Sequence, residues 1–234
     1  MPVADPSFGW QEAMGAYLIV LVAAFAVTWL VTDVLGIGRT LYVGVLTLVV
    51  VGLGAWYLTW SGTSFADIAG SNLVWGAVAG LAIAATMTPL VRRMPKGLPT
   101  YGLRRVERFA WEDVVYGIDE ALLLAVYPVL TIWQATVAAG WTDSNVGKMV
   151  AGGLAIGGSL LVILVHHLGY AEFRDRAARP KLLGALLTCG LQALAFLVTG
   201  TLLAPVIAHV ALHLEFTLRG TELPPATPVA VRHS

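Results

Sequence analysis

Long apolar stretches recur along this chain, separated by short polar segments. Seven can be distinguished, over residues 14–35, 40–60, 72–91, 113–138, 148–167, 181–200 and 202–219. Their apolar residues are continuous rather than alternating, and about 20 such residues in an α-helix cross the hydrocarbon core of a bilayer. Because backbone groups in lipid must be satisfied within the segment, the stretches predict helices. The expected fold is all-α, a polytopic membrane protein with about seven transmembrane helices.

The composition also indicates a membrane protein. Hydrophobic residues make up 58% of the 234 residues and charged residues 12%, whereas soluble domains have about 45–50% and 25%. This leaves no room for a sizeable soluble domain, and the expected surroundings are a lipid bilayer. The sequence has no phosphate-binding glycine loop and no nucleic-acid-binding signature, so nucleic acid is not an expected partner.

The basic residues indicate an orientation. With seven spans, 13 of the 14 Lys and Arg residues lie on one side of the membrane. Loops rich in Lys and Arg stay in the cytoplasm, so we expect the N-terminus outside and the C-terminus inside. The resulting segments are an extracytoplasmic N-terminus (1–13), three transmembrane helices (14–91), a basic cytoplasmic loop (92–112), a four-helix core (113–219) and a proline-rich cytoplasmic tail (220–234).

Two pairs of glycines have the spacing that lets helices approach closely. They are Gly76 with Gly80 and Gly153 with Gly157, and we expect both pairs to pack inside the chain rather than in a homodimer. In the fourth span, Pro128 removes a backbone donor and leaves the Leu124 carbonyl without its usual partner. We expect a kink there and a Leu124 carbonyl that lines a polar site.

Ionisable residues of three later spans lie at a common depth, in the half of the membrane nearer the cytoplasm. They are Asp119, Glu120, His166, His167, His209 and His213. His209 and His213 are four residues apart, which puts both on one face of a helix. Ionisable groups at membrane depth generally face the bundle interior and mark a site. We expect one cavity in which Asp119 or Glu120 lies within one water of His167, with His209 and His213 facing it.

Purely structural roles are an alternative for each of these residues. Asp119 and Glu120 could be solvated near the start of a helix. His166 or His167 could lie at the membrane interface, and His209 could be an imidazole that holds helices together through a hydrogen bond.

Three motifs occur in a fixed order in spans four to seven. They are Asp119-Glu120-Ala-Leu-Leu-Leu124, Ile163-Leu-Val-His-His167 and Leu203-Ala-Pro-Val-Ile-Ala-His209-Val-Ala-Leu-His213. Over about the last 110 residues they resemble the CAAX-protease and bacteriocin-processing (CPBP, or Abi) intramembrane proteases. That family has Glu-Glu-x-x-x-Arg, then Phe-x-x-x-His, then His-x-x-x-Asn. The departures are Asp119 for the first Glu, Leu124 for Arg, Ile163 for Phe and His213 for Asn.

The resemblance implies a CPBP-like four-helix core and an endopeptidase of a prokaryotic cytoplasmic membrane. Its substrate would be a peptide or a membrane protein, cleaved at the inner leaflet by water that a carboxylate and a histidine activate. Asp119, in the motif that also contains Glu120, would act with His167 on the water, and His209 and His213 would stabilise the oxyanion. An imidazole can donate from one nitrogen, as the Asn of the family would.

Three other interpretations remain open. A divalent metal such as zinc could bind Glu120, His167, His209 and His213, because carboxylate and imidazole groups suit it. The loss of the motif Arg at Leu124 favours an inactive scaffold or an accessory subunit that binds partner subunits in a membrane complex. A haem or pigment held by the histidines is the third interpretation.

Overall fold

The computed structural model describes residues 8–70, 72–94, 96–97 and 101–220. Within these residues it contains eight helices and no strand, so the predicted all-α fold is confirmed. The helices are α1 (Trp10–Val34), α2 (Arg39–Ser61), α3 (Phe65–Ala69), α4 (Leu73–Arg92), α5 (Leu103–Ala138), α6 (Asn145–Gly169), α7 (Arg179–Thr199) and α8 (Leu203–Leu218).

Six of the described helices, namely α1, α2, α4, α5, α6 and α7, are long and apolar enough to cross a membrane. The protein is therefore an integral membrane protein with a polytopic helical bundle. The seventh predicted span, α8, is apolar but has only 16 residues. Its start is fixed by α3, because the Leu202 backbone N–H donates to the Ile68 carbonyl at 3.1 Å.

Two helices extend beyond the predicted apolar stretches by several residues. The first helix begins at Trp10 rather than at residue 14, and α5 begins at Leu103 rather than at residue 113. The second half of the predicted basic loop is thus an extension of α5, in which exposed Leu103 and Val106 lie among arginines. Residues 1–7 and the predicted tail beyond Gly220 lie outside the described residues.

Helix α5 is the centre of the bundle. Most of its side chains between Tyr116 and Ala135 are buried, and it packs against α1, α2, α6, α7 and α8. Two of its turns are π-helical, at Arg108–Val115 and Ala121–Val126. A π-helical turn widens the helix locally and often occurs at functional sites, and the second one begins directly after Glu120.

The carbonyl that Pro128 frees has a partner elsewhere. Leu124 O accepts a hydrogen bond from Ser159 Oγ at 2.5 Å, in the buried contact between α5 and α6. The expectation that this carbonyl lines the polar site is therefore wrong. A buried carbonyl must find a donor, and the small Ser159 of α6 supplies it.

The two glycine pairs behave differently. A Cβ atom at Gly80 would lie 2.7 Å from the Ala204 carbonyl, and one at Gly76 would clash with Thr201, so this pair packs α4 against α8 as expected. A Cβ atom at Gly153 or Gly157 would meet nothing within 4 Å. The expectation of internal packing is wrong for the second pair, because that face of α6 points away from the bundle.

Candidate functional site

The site is built around the carboxylate of Glu120 on α5, whose side chain is almost fully buried. Its Oε1 atom lies 2.7 Å from the Tyr116 hydroxyl and 3.2 Å from His166 Nε2. Its Oε2 atom lies 2.9 Å from His209 Nε2 and 3.0 Å from His213 Nε2. A buried carboxylate is costly unless hydrogen-bonded, and here each oxygen has two partners.

Helical spacing and a glycine explain why these groups meet. Tyr116 precedes Glu120 by one helical turn, and His209 and His213 are one turn apart on α8 with their rings stacked at 5.1 Å between centroids. Gly117 lets α8 come close, because a Cβ atom there would lie only 3.1 Å from Val210 Cα. The predicted convergence of a carboxylate with His209 and His213 is therefore present in the structure, with Glu120 as the carboxylate.

His167 and Asp119 are placed differently from their predicted neighbours. The His167 Nδ1 atom lies 2.8 Å from the Ile163 carbonyl, whereas the adjacent His166 contacts Glu120. Asp119 accepts a hydrogen bond from Thr47 Oγ1 of α2 at 2.5 Å. Consecutive residues on a helix point about 100° apart, so only one residue of each pair points into the cluster, and these are Glu120 and His166.

A cavity of about 510 Å³ lies beside the cluster, between α4, α5, α6, α7 and α8. The remainder of its wall is mainly apolar and comes largely from α4, α7 and α8. Its polar end is lined by Tyr116, Glu120, His167, Tyr170, His209 and His213. His167 thus shares the cavity as expected, but Asp119 is not in its wall. A molecule with an apolar portion and a reactive polar group matches this lining.

The cluster can hold a metal ion through three residues. In the described part of the chain, Glu120, His209 and His213 each offer a ligand atom, and these atoms lie within 4.8 Å of one another. Catalytic zinc sites often use two histidines and a glutamate plus water. His209 Nδ1 also lies 2.8 Å from Gln192 Oε1, the kind of contact that orients a metal-binding histidine. His167, the fourth predicted ligand, is not in this group.

A positively charged side chain beside the site, that of Arg39, comes from α2, which carries none of the three motifs. The Arg39 guanidinium of α2 lies 4.7 Å from the centre of the Tyr116 ring, and Arg39 forms an ion pair with Glu112 at 2.9 Å. Leu124, which occupies the position of the motif Arg, is buried in the apolar core. The sequence signal for Arg39 was weak, since it is one basic residue at the start of a span.

No protein-family model matches the chain, and no curated protein or solved structure matches it either. The fold and the site together define an integral membrane helical bundle with a buried carboxylate–imidazole cluster that borders a cavity.

Proposed function

We propose that the protein is an intramembrane endopeptidase of a prokaryotic cytoplasmic membrane, with Glu120 as the group that activates water. The observation that carries the proposal is the position of Glu120 Oε2, between two imidazole nitrogens at the polar end of the cavity. The motif resemblance to CPBP proteases supports it, with Glu120 taking the role implied for Asp119. The proposed substrate is a peptide segment that enters the cavity from the bilayer or its inner surface.

The chemistry needs a base and oxyanion donors. Glu120 removes a proton from water as the oxygen attacks the peptide carbonyl, and later gives that proton to the leaving amine. Imidazole N–H groups of His209 and His213 stabilise the negative oxygen of the tetrahedral intermediate. Both Nε2 atoms contact Glu120 in the structure, so the substrate oxygen must replace both contacts as the negative charge develops.

A divalent metal is compatible with the same residues. Glu120, His209 and His213 would hold the ion and Gln192 would orient His209. When bound, such an ion lowers the pKa of its water and polarises the carbonyl.

A specific observation favours a second candidate, an inactive scaffold that binds partner subunits. Each Glu120 oxygen already has two hydrogen-bonding partners within the chain, so this carboxylate is satisfied without substrate. Such a network can rigidify a helical core without any chemistry.

Proteome-wide mapping of N-termini separates the two candidates. Cells lacking the protein are complemented with wild type, Glu120→Gln, His209→Ala or the control Asp119→Asn, at equal membrane levels. We expect a set of new N-termini in membrane proteins that is present with wild type and Asp119→Asn and absent with the other two. Identical N-termini in wild type and in all three variants would reject the peptidase. If the new N-termini are lost only with Asp119→Asn, the base is Asp119 and not Glu120.

A further inference from the structure

A closed ring of hydrogen bonds lies on the Oε1 side of Glu120. Among the described residues, the Tyr116 hydroxyl contacts Glu120 Oε1 (2.7 Å) and the Tyr170 hydroxyl (2.8 Å). Tyr170 contacts Tyr42 at 2.9 Å, and Tyr42 contacts Thr28 at 3.1 Å. The ring closes through His166, with Nδ1 3.0 Å from Thr28 and Nε2 3.2 Å from Glu120. We call Glu120, Tyr116, Tyr170, Tyr42, Thr28 and His166 the hydrogen-bond ring.

The ring joins the site to the part of the bundle that carries no motif. Thr28 comes from α1 and Tyr42 from α2, and both are fully buried. Neither they nor His166 line the cavity, whereas Tyr116 and Tyr170 do. The remote half of the ring can therefore be altered without touching a molecule in the cavity.

The three tyrosine hydroxyls of the ring point their protons toward Glu120 when it is ionised. A carboxylate only accepts, so Tyr116 donates to Glu120, and its oxygen is then free to accept from Tyr170. Tyr170 in turn accepts from Tyr42. The opposite direction needs a proton on Glu120 Oε1 that is donated to Tyr116. Because chains of hydrogen bonds polarise one another, the orientation of the Tyr42 hydroxyl is coupled to the charge of Glu120.

We propose that Tyr116, Tyr170 and Tyr42 are positioning residues that act as one unit. Together they fix the Glu120 side chain with Oε1 held in the ring and Oε2 directed at His209 and His213. The effect on rate rests on the proposed function, but the coupling between Tyr42 and Glu120 does not.

Infrared spectroscopy tests the coupling without any substrate. The carboxyl bands of Glu120 are identified by their loss in Glu120→Gln. The Tyr42 hydroxyl is separated from Glu120 by the hydroxyls of Tyr170 and Tyr116. We expect its removal in Tyr42→Phe to shift these bands. The control Tyr127→Phe removes another buried hydroxyl, which donates to the Val50 carbonyl at 3.1 Å outside the ring, and should leave them unchanged.

The same variants give a second readout once a substrate has been found. Tyr42→Phe should lower kcat by roughly tenfold, as expected for one weakened hydrogen bond to a charged group, with KM unchanged. The double variant Tyr42→Phe/Tyr170→Phe should cost less than the product of the single effects, because both break one chain. If Tyr42→Phe does not fold, Thr28→Val breaks the adjacent link with little change in side-chain volume.

The outcomes separate the two proposals. Unchanged Glu120 bands in folded Tyr42→Phe, or in folded Thr28→Val where Tyr42→Phe does not fold, would overturn the ring proposal even if peptidase activity is found. The coupling would be supported and the peptidase rejected if Tyr42→Phe shifts the Glu120 bands while the wild-type protein yields no new N-termini in cells.

Discussion

The His213 Nε2 atom lies 3.0 Å from Glu120 Oε2, and the ring carrying it stacks on His209. His213 occupies the position where the resembling family has Asn. An imidazole at this position can either donate a hydrogen bond to the oxyanion or bind a metal ion. An Asn amide can donate the same hydrogen bond but is a poor ligand for zinc. The replacement of His213 can therefore distinguish proton-based from metal-based chemistry.

Restoring the family residue is the first prediction. If His213 donates to the oxyanion, His213→Asn should keep activity within about tenfold, whereas His213→Ala should lose about 100-fold or more in kcat, as for other oxyanion donors. Rates measured on a substrate from the N-terminus mapping give the comparison. Equal loss in both variants would argue that the imidazole itself is required.

The second prediction concerns metal content. If the three-residue cluster binds zinc, purified protein should contain about one ion per chain, measured by mass spectrometry of the metal. His209→Ala should lose it, whereas His167→Ala should keep it because His167 is outside the cluster. If wild-type protein stays metal-free after incubation with zinc and desalting, the zinc site is rejected and the metal-independent mechanism is supported.

The third prediction tests the contact that replaces the missing helical hydrogen bond at Pro128. Ser159→Ala removes the donor to the Leu124 carbonyl, and an unsatisfied buried carbonyl costs about 1–3 kcal/mol. We expect this loss in denaturant unfolding of detergent-solubilised protein.

A double-mutant cycle with Pro128→Ala supplies the control. Alanine at this position restores a backbone N–H four residues after Leu124, so Ser159→Ala should cost less in the Pro128→Ala background. Equal costs in both backgrounds would mean that the serine stabilises the helix contact in another way.

The fourth prediction is the orientation in the membrane, which the basic residues indicate. Single cysteines are placed at exposed Arg104 and at exposed Asp143 in a Cys189→Ser background. A membrane-impermeant thiol reagent should label position 143 in intact cells and position 104 only after permeabilisation. The reverse pattern would invert the topology.

Sequence patterns predicted the helices and the meeting of a carboxylate with His209 and His213, because apolar length and a four-residue spacing are local properties. They did not separate His166 from His167 or Asp119 from Glu120. That choice depends on how a helix is rotated about its axis, and the π-helical turns of α5 change this rotation. Thr28 and Tyr42 were not predicted because single polar residues in apolar spans carry no periodic signal.

The 16 residues of α8 span only about 24 Å at 1.5 Å per residue, against a hydrocarbon core of about 30 Å. A helix shorter than the core is accommodated by local thinning of the bilayer. Helix α8 carries His209 and His213 and packs closely on α4, so thinner lipid along this side would bring the interface nearer to Glu120. Under the proposed function, the lipid itself would then admit the water that peptide hydrolysis consumes, and bilayer thickness would become a determinant of the reaction rate.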